Sequence, residues 1–169
     1  MSNAQNQKTI RREAVYTGIG LHTGNSSTLK FLPAPANSGV TFVRTDLPEK
    51  PRLPATIEYV VGVVRGTTLG TNGTRVHTVE HICSALLGLG IDNLIVELDA
   101  NEPPVGDGSA KPFVETLLRS GLQDLDAPKH FYEHTEPIRY QSNETEIILT
   151  HGDELTVHCR LTYKHPIIK

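Results

Sequence analysis

Helical periodicity occurs in two stretches of this chain, and a glycine follows each of them. Over residues 76–87 the apolar positions Val76, Val79, Ile82, Cys83, Leu86 and Leu87 recur at three-to-four spacing, with Gly88 as the expected stop. The second run starts near Ser109, a candidate N-cap, and places Pro112 in the first turn, where a missing N–H does no harm. Phe113, Val114, Leu117 and Leu118 form its apolar stripe, and Gly121 ends it. Between the two runs, residues 93–98 read as a buried strand and residues 101–108 as a stiff turn.

The remaining text is strand-like. Residues 8–16, 27–32, 39–44 and 55–64 are strand candidates, with turn-forming residues at 18–20 and 33–38. An acidic segment ending in Pro128 reads as a linker over residues 123–130. Three further strands are expected at 131–140, 144–150 and 154–163, and no helix follows to cover them. The expected fold class is therefore α+β. Residues 8–122, with both helices, read as a first domain, and residues 131–169 as an incomplete second domain of strands only. Residues 1–7 are polar and are expected to be a disordered leader or tag.

A chain of 169 residues, 37% hydrophobic and 21% charged, can bury a core in one domain or two small ones. A net charge of −3 without a basic block lacks the electrostatic footprint of a nucleic-acid binder. No transmembrane segment of 18 or more apolar residues is present, and residues 1–7 lack the apolar region of a secretory signal. Cys83 and Cys159 are too few for a disulfide scaffold, so a reduced, cytoplasmic protein is expected.

The sharpest chemical feature is His77-Thr78-Val79-Glu80-His81 on the first expected helix. Spacing of four would put His77 and His81 on one face with Glu80 beside them, the inverted-zincin form H-x-x-E-H. The competing reading is two surface histidines and a glutamate on an amphipathic helix, because patterns this short arise often by chance. Of the other histidines, His130 and His134 read as solvated, and His158 alternates with Cys159 in an expected strand, so no second metal site is expected. Gly18-Ile19-Gly20-Leu21-His22-Thr23-Gly24 lacks the dinucleotide and P-loop patterns and reads as a glycine turn. Asp107-Gly108-Ser109 reads as an aspartate turn with a serine cap.

Taken together, these segments resemble one family, the zinc-dependent UDP-3-O-acyl-N-acetylglucosamine deacetylases (LpxC) of lipid A biosynthesis. The resemblance runs from Lys8-Thr9-Ile10 through Gly18–Gly24, Leu32-Pro33-Ala34-Pro35-Ala36, Gly39-Val40-Thr41-Phe42-Val43-Arg44-Thr45-Asp46 and Thr67-Thr68-Leu69-Gly70. It continues in Thr78-Val79-Glu80-His81, Gly88-Leu89-Gly90-Ile91-Asp92-Asn93, Asp107-Gly108-Ser109-Ala110-Lys111-Pro112-Phe113-Val114 and His165-Pro166-Ile167-Ile168. Order and spacing hold across nearly the whole chain.

The resemblance implies two similar α+β domains, each a sheet with its helices packed on one side, with the active site between them. It implies a Zn2+ cofactor, a UDP-acyl-N-acetylglucosamine substrate and hydrolysis of its N-acetyl group, releasing acetate. Glu80 then corresponds to the catalytic general base, His81 to a zinc ligand, and His22 to a histidine on the substrate side of the site. His77 matches no family ligand. The family's H-K-x-x-D motif with the other two ligands, its later proton-donating histidine and its acyl-passage insert are absent. The chain is thus expected to be the first domain plus the opening strands of the second, inactive alone, with a missing C-terminal half or a fusion partner. The rival expectation is a non-catalytic truncated domain acting by binding or assembly, and a third is an inverted-zincin peptidase.

Overall fold

In the computed structural model, which describes residues 5–132, 134–164 and 167, the chain divides into two compact units, Met1–Lys129 and His130–Lys169. The first unit opens with β1 (Asn6–Ile10), β2 (Ala14–Ile19), β3 (Ser26–Pro33), β4 (Val40–Arg44) and β5 (Arg52–Pro54). A 3-10 turn at Ile57–Tyr59 precedes β6 (Val60–Gly62), β7 (Thr68–Thr71), β8 (Thr74–Val76) and α1 (Glu80–Leu89). β9 (Leu94–Leu98), α2 (Lys111–Ser120) and β10 (Leu122–Pro128) complete it. The class is α+β, with two helices and several sheets among the described residues, as expected.

The largest sheet has the order β2-β3-β9-β4-β5, antiparallel except where β4 runs parallel to β9. Its register lines up Ala14, Phe31, Val96, Phe42 and Leu53 across all five strands. Phe31, Val96, Phe42 and Leu53 in that row are fully buried. Each such side chain contributes about 1.5–3 kcal/mol by leaving water. Period-2 alternation is what makes the row possible, since a slip of one residue would turn every member outward. Phe113 of α2 meets Tyr16 of β2 edge-on, with ring centroids 5.4 Å apart.

Both expected helices form, with shifted bounds. The first begins at Glu80, because Val76 is paired with Leu69 in the β7–β8 hairpin and Thr78 has a left-handed φ of 54° that no α-helix accommodates. It runs through Gly88 and stops at Gly90, whose φ is 67°. There the N–H groups of Gly90 and Ile91 cap the carbonyls of Leu87 and Leu86. In the second helix Ser109 accepts a hydrogen bond from the Lys111 N–H at 3.1 Å. Thr116 takes an inner position and returns its hydroxyl to the Pro112 carbonyl at 2.8 Å, leaving Leu118 52% exposed.

Three expectations for the first unit are corrected. Residues 8–16 are not one strand: β1 pairs with β10 and β2 with β3. Residues 123–128 are not a linker, because they supply the hydrogen-bonding edge that β1 requires, with Ile10 opposite Leu122 and Lys8 opposite Asp124. Asn6 and Gln7 are not a disordered leader, since Gln7 is buried and its amide bonds Asn37, Asn93 and the Pro128 carbonyl. Residues 1–4, and the His165, Pro166 and Ile168 part of the last family-like segment, lie outside the described residues.

In the second unit β11 (Ile138–Ser142) and β12 (Thr145–Leu149) form an antiparallel hairpin with Ile138 opposite Leu149. All ten of its strand residues are exposed. The strand expected over residues 154–163 does not form, and Leu155, Val157 and Leu161 stay above 70% exposed. A third strand gains little when no layer covers the face it would extend.

Candidate functional site

The segment joining β8 to α1 carries the sequence's strongest motif and does not have the shape expected of it. His77 precedes the helix, and its N–H donates to the Asn101 carbonyl at 2.9 Å. Thr78 then turns the backbone through its left-handed conformation, and the Val79 N–H donates to the Thr67 carbonyl at 3.2 Å. Glu80 and His81 are the first two residues of α1. His77 therefore does not share a helical face with His81, and the inverted-zincin geometry is lost. The His77 ring instead shares a hydrogen bond of 3.1 Å between Nδ1 and the Thr68 hydroxyl.

His77, Thr78 and Thr68 line a cavity of about 260 Å³ together with His22, Thr23, Val64, Arg65 and Gly66. His22 Nε2 donates to the Arg65 carbonyl at 3.2 Å, which fixes the proton on that nitrogen and leaves Nδ1 as the ring's acceptor in the neutral form. Behind Gly66 lies the Glu80 carboxylate. Its Oε2 accepts the Thr67 N–H at 2.8 Å. A Cβ on Gly66 would come within 3.2 Å of Oε1, so the absence of a side chain there lets the carboxylate approach the cavity wall.

His81 is half-buried beside Glu80, and its ring forms no hydrogen bond or ion pair among the described residues. An imidazole with a nitrogen to spare suits a zinc corner. The set is incomplete, however: no group of three or more His, Cys, Asp or Glu side chains converges among the described residues. These residues do not make a zinc site by themselves. Cys83, one turn along α1, is no nucleophile either, because burial and the nearby Glu80 charge push its thiol up to about 11.

The residue that ties the site together was read from sequence only as part of a stiff turn. Glu102 is fully buried. Its Oε1 accepts the Thr78 hydroxyl at 2.7 Å, and its Oε2 accepts both the N–H and the hydroxyl of Thr23 at 2.8 Å. The His22 N–H reaches both oxygens at 3.1 and 3.0 Å. Burial pushes its carboxyl up, and these hydrogen bonds outweigh burial and hold it below the usual carboxylate range. No ion pair among the described residues includes it. Gly20 is a glycine for this reason: a Cβ there would lie 2.6 Å from Glu102 Oε2. Nothing in the local pattern around Asn101-Glu102-Pro103-Pro104 marks the glutamate as buried, since its partners lie 24 and about 80 residues away.

His134 donates from Nδ1 to the Glu136 carbonyl at 3.1 Å, and His130, His151 and His158 are exposed in the second unit. Asp107-Gly108-Ser109 is the expected turn, with Asp107 Oδ1 accepting both the N–H and the hydroxyl of Ser109. No helix among the described residues is long and apolar enough to cross a membrane.

Comparison with known proteins gives one consistent result. The sequence model described as UDP-3-O-acyl N-acetylglycosamine deacetylase matches residues 7–169. A UDP-3-O-acyl-N-acetylglucosamine deacetylase of Myxococcus xanthus is 41% identical over 167 residues, 99% of this chain and 53% of the relative. One from Bdellovibrio bacteriovorus is 47% identical over 153 residues, 89% of this chain and 51% of the relative. A protein of Chlorobaculum tepidum named as a bifunctional LpxC/FabZ enzyme is 44% identical over 164 residues, covering 96% of this chain and 35% of the relative. The chain thus spans about half the length of the two deacetylase relatives and about a third of the bifunctional one.

Proposed function

This chain belongs to the UDP-3-O-acyl N-acetylglycosamine deacetylase family, and on that footing we propose that it carries the general base and one metal ligand of a cytoplasmic deacetylase of lipid A biosynthesis. The reaction is hydrolysis of the 2-acetamido group of UDP-3-O-(hydroxyacyl)-N-acetylglucosamine, in which the C–N bond breaks and acetate leaves. The observation that carries the reading is the Glu80 carboxylate held behind Gly66 at the cavity that His22 also lines.

Glu80 takes a proton from the water that attacks the amide carbon. Its Oε2 is already occupied by the Thr67 N–H, so Oε1 is the oxygen left for that proton. The same hydrogen bond fixes the orientation of the carboxylate, which a general base requires before its proton affinity matters. His22 contributes from the substrate side, with its ring held by the Arg65 carbonyl. His81 is one zinc ligand, its companion donors belonging to the part of the relatives that this chain does not span. The second unit corresponds to the opening of the family's second domain.

The test is a chimera in which this chain replaces the matching residues of the Myxococcus xanthus relative, assayed for acetate release and zinc content. Glu80→Gln keeps the shape of the side chain but removes its proton affinity, so turnover should fall by about 10²–10⁴-fold while zinc stays bound. His81→Ala should lower zinc and rate together, and His77→Ala should leave zinc in place. Full turnover in Glu80→Gln would remove the base from this proposal. A folded chimera without activity favours a binding or assembly role instead.

A further inference from the structure

Three segments meet at one buried anion. The turn after β2 brings the His22 N–H and the N–H and hydroxyl of Thr23, and the β8–α1 junction brings the Thr78 hydroxyl, all to the carboxylate of Glu102. Thr78 is a β-branched residue at φ 54°, a strained conformation that persists only where its surroundings enforce it. Its hydroxyl bond to Glu102 at 2.7 Å is the side-chain contact that holds it there. That conformation sets where α1 begins, and Glu80 is the first residue of α1.

We propose that Glu102 is a positioning residue: through Thr78 it sets the placement of Glu80 behind Gly66, and through two backbone N–H groups it sets the placement of His22 in the wall of the same cavity. This rests on the deacetylase reading for its catalytic meaning but not for its geometry. Glu102 does not itself line the cavity and acts through residues that do: His22, Thr23 and Thr78. An unpaired buried charge is expensive, and it persists here because donors fill its acceptor sites. The arrangement is demanding in a useful way, since the carboxylate cannot be satisfied unless all three segments are in place. Neutral side chains of the same size would leave Thr78 free to relax, and the start of α1 with it.

The Thr67 N–H reports the placement of Glu80, because it donates to Glu80 Oε2 at 2.8 Å and makes no direct contact with Glu102. Amide hydrogen exchange, followed residue by residue in this chain, therefore reads the coupling without substrate or metal. Thr78→Val removes the hydroxyl at nearly constant volume. It should speed exchange at Thr67 by about tenfold more than at Val96 in β9, whose exchange reports only the loss of global stability. Thr78→Ser keeps the hydroxyl and should restore the native rate at Thr67. Glu102→Gln should speed exchange at His22, Thr23 and Thr67 together. If that variant fails to fold, Thr78→Val and Thr78→Ser decide alone. Unchanged exchange at Thr67 in Thr78→Val, or equal acceleration at Thr67 and Val96, overturns the proposal. An inactive chimera with this coupling intact would sink the deacetylase reading and leave the positioning role standing.

Discussion

β9 and β12 are both five-residue strands rich in aliphatic side chains, and they end up in opposite surroundings. In β9, Leu94, Val96 and Leu98 are fully buried, and the strand is paired on both sides, with β3 and β4. In β12, Ile147, Ile148 and Leu149 are at least half exposed, and the only pairing among the described residues is with β11. Strand propensity is similar in the two. The difference is a second layer: the core cluster, with Ile82 and Leu86 of α1 and Phe113 and Leu117 of α2, lies entirely in the first unit. A sheet face without such a layer gains little from its apolar residues, and a lone hairpin is marginal in water.

The largest expected consequence is in backbone protection. Amide exchange of Val96 should be slower than that of Ile147 by a factor on the order of 10³ or more, because core strands open only with global unfolding while a lone hairpin frays. Comparable protection in β12 would break the contrast and mean that something covers that hairpin in solution. Next in size is a pair of truncations followed by urea denaturation. Phe42→Ala removes a side chain from the row across the five-stranded sheet and should cost about 3–5 kcal/mol. Tyr140→Ala, at a position 60% exposed in β11, should stay within about 0.5 kcal/mol.

The smallest effect is a pH dependence that belongs to the first unit. Glu102 has a folded value below its ordinary 4.5. A depressed carboxyl binds fewer protons when folded than when unfolded, so its contribution is fully present above about pH 4.5 and is lost as pH falls through the lower folded value. Urea midpoints of the native chain should therefore drop on acidification below that range, and Glu102→Gln should flatten this part of the curve. A parallel acid loss in both proteins would place the titration elsewhere.

Much of this molecule was legible in its text because the relevant information is local. Apolar spacing locates both helices, the apolar run over residues 93–98 locates β9, and His77-Thr78-Val79-Glu80-His81 stands out as the sharpest chemical feature. What failed were inferences that treated neighbours in sequence as neighbours in structure. Three-to-four spacing from Val76 puts His77 on a helix, yet Val76 is the last residue of a hairpin strand. Residues 123–128 looked like a linker because acidic, proline-ended text usually is one, and nothing within them announces that β1 lacks an edge partner.

The amino-acid sequence by itself determined the α+β class and the family to which the chain belongs, and it singled out His22, Glu80 and His81. Only the tertiary structure decided that His77 leaves the helix, that Gly20 exists to admit a carboxylate, and that Glu102 is buried at the junction of three segments. The physical reason is range. Periodicity and turn chemistry act over a few residues, so they are written in adjacent letters. The burial of a charge depends on donors about 24 and 80 positions away, and those meet only after the sheet has paired and the helices have covered it.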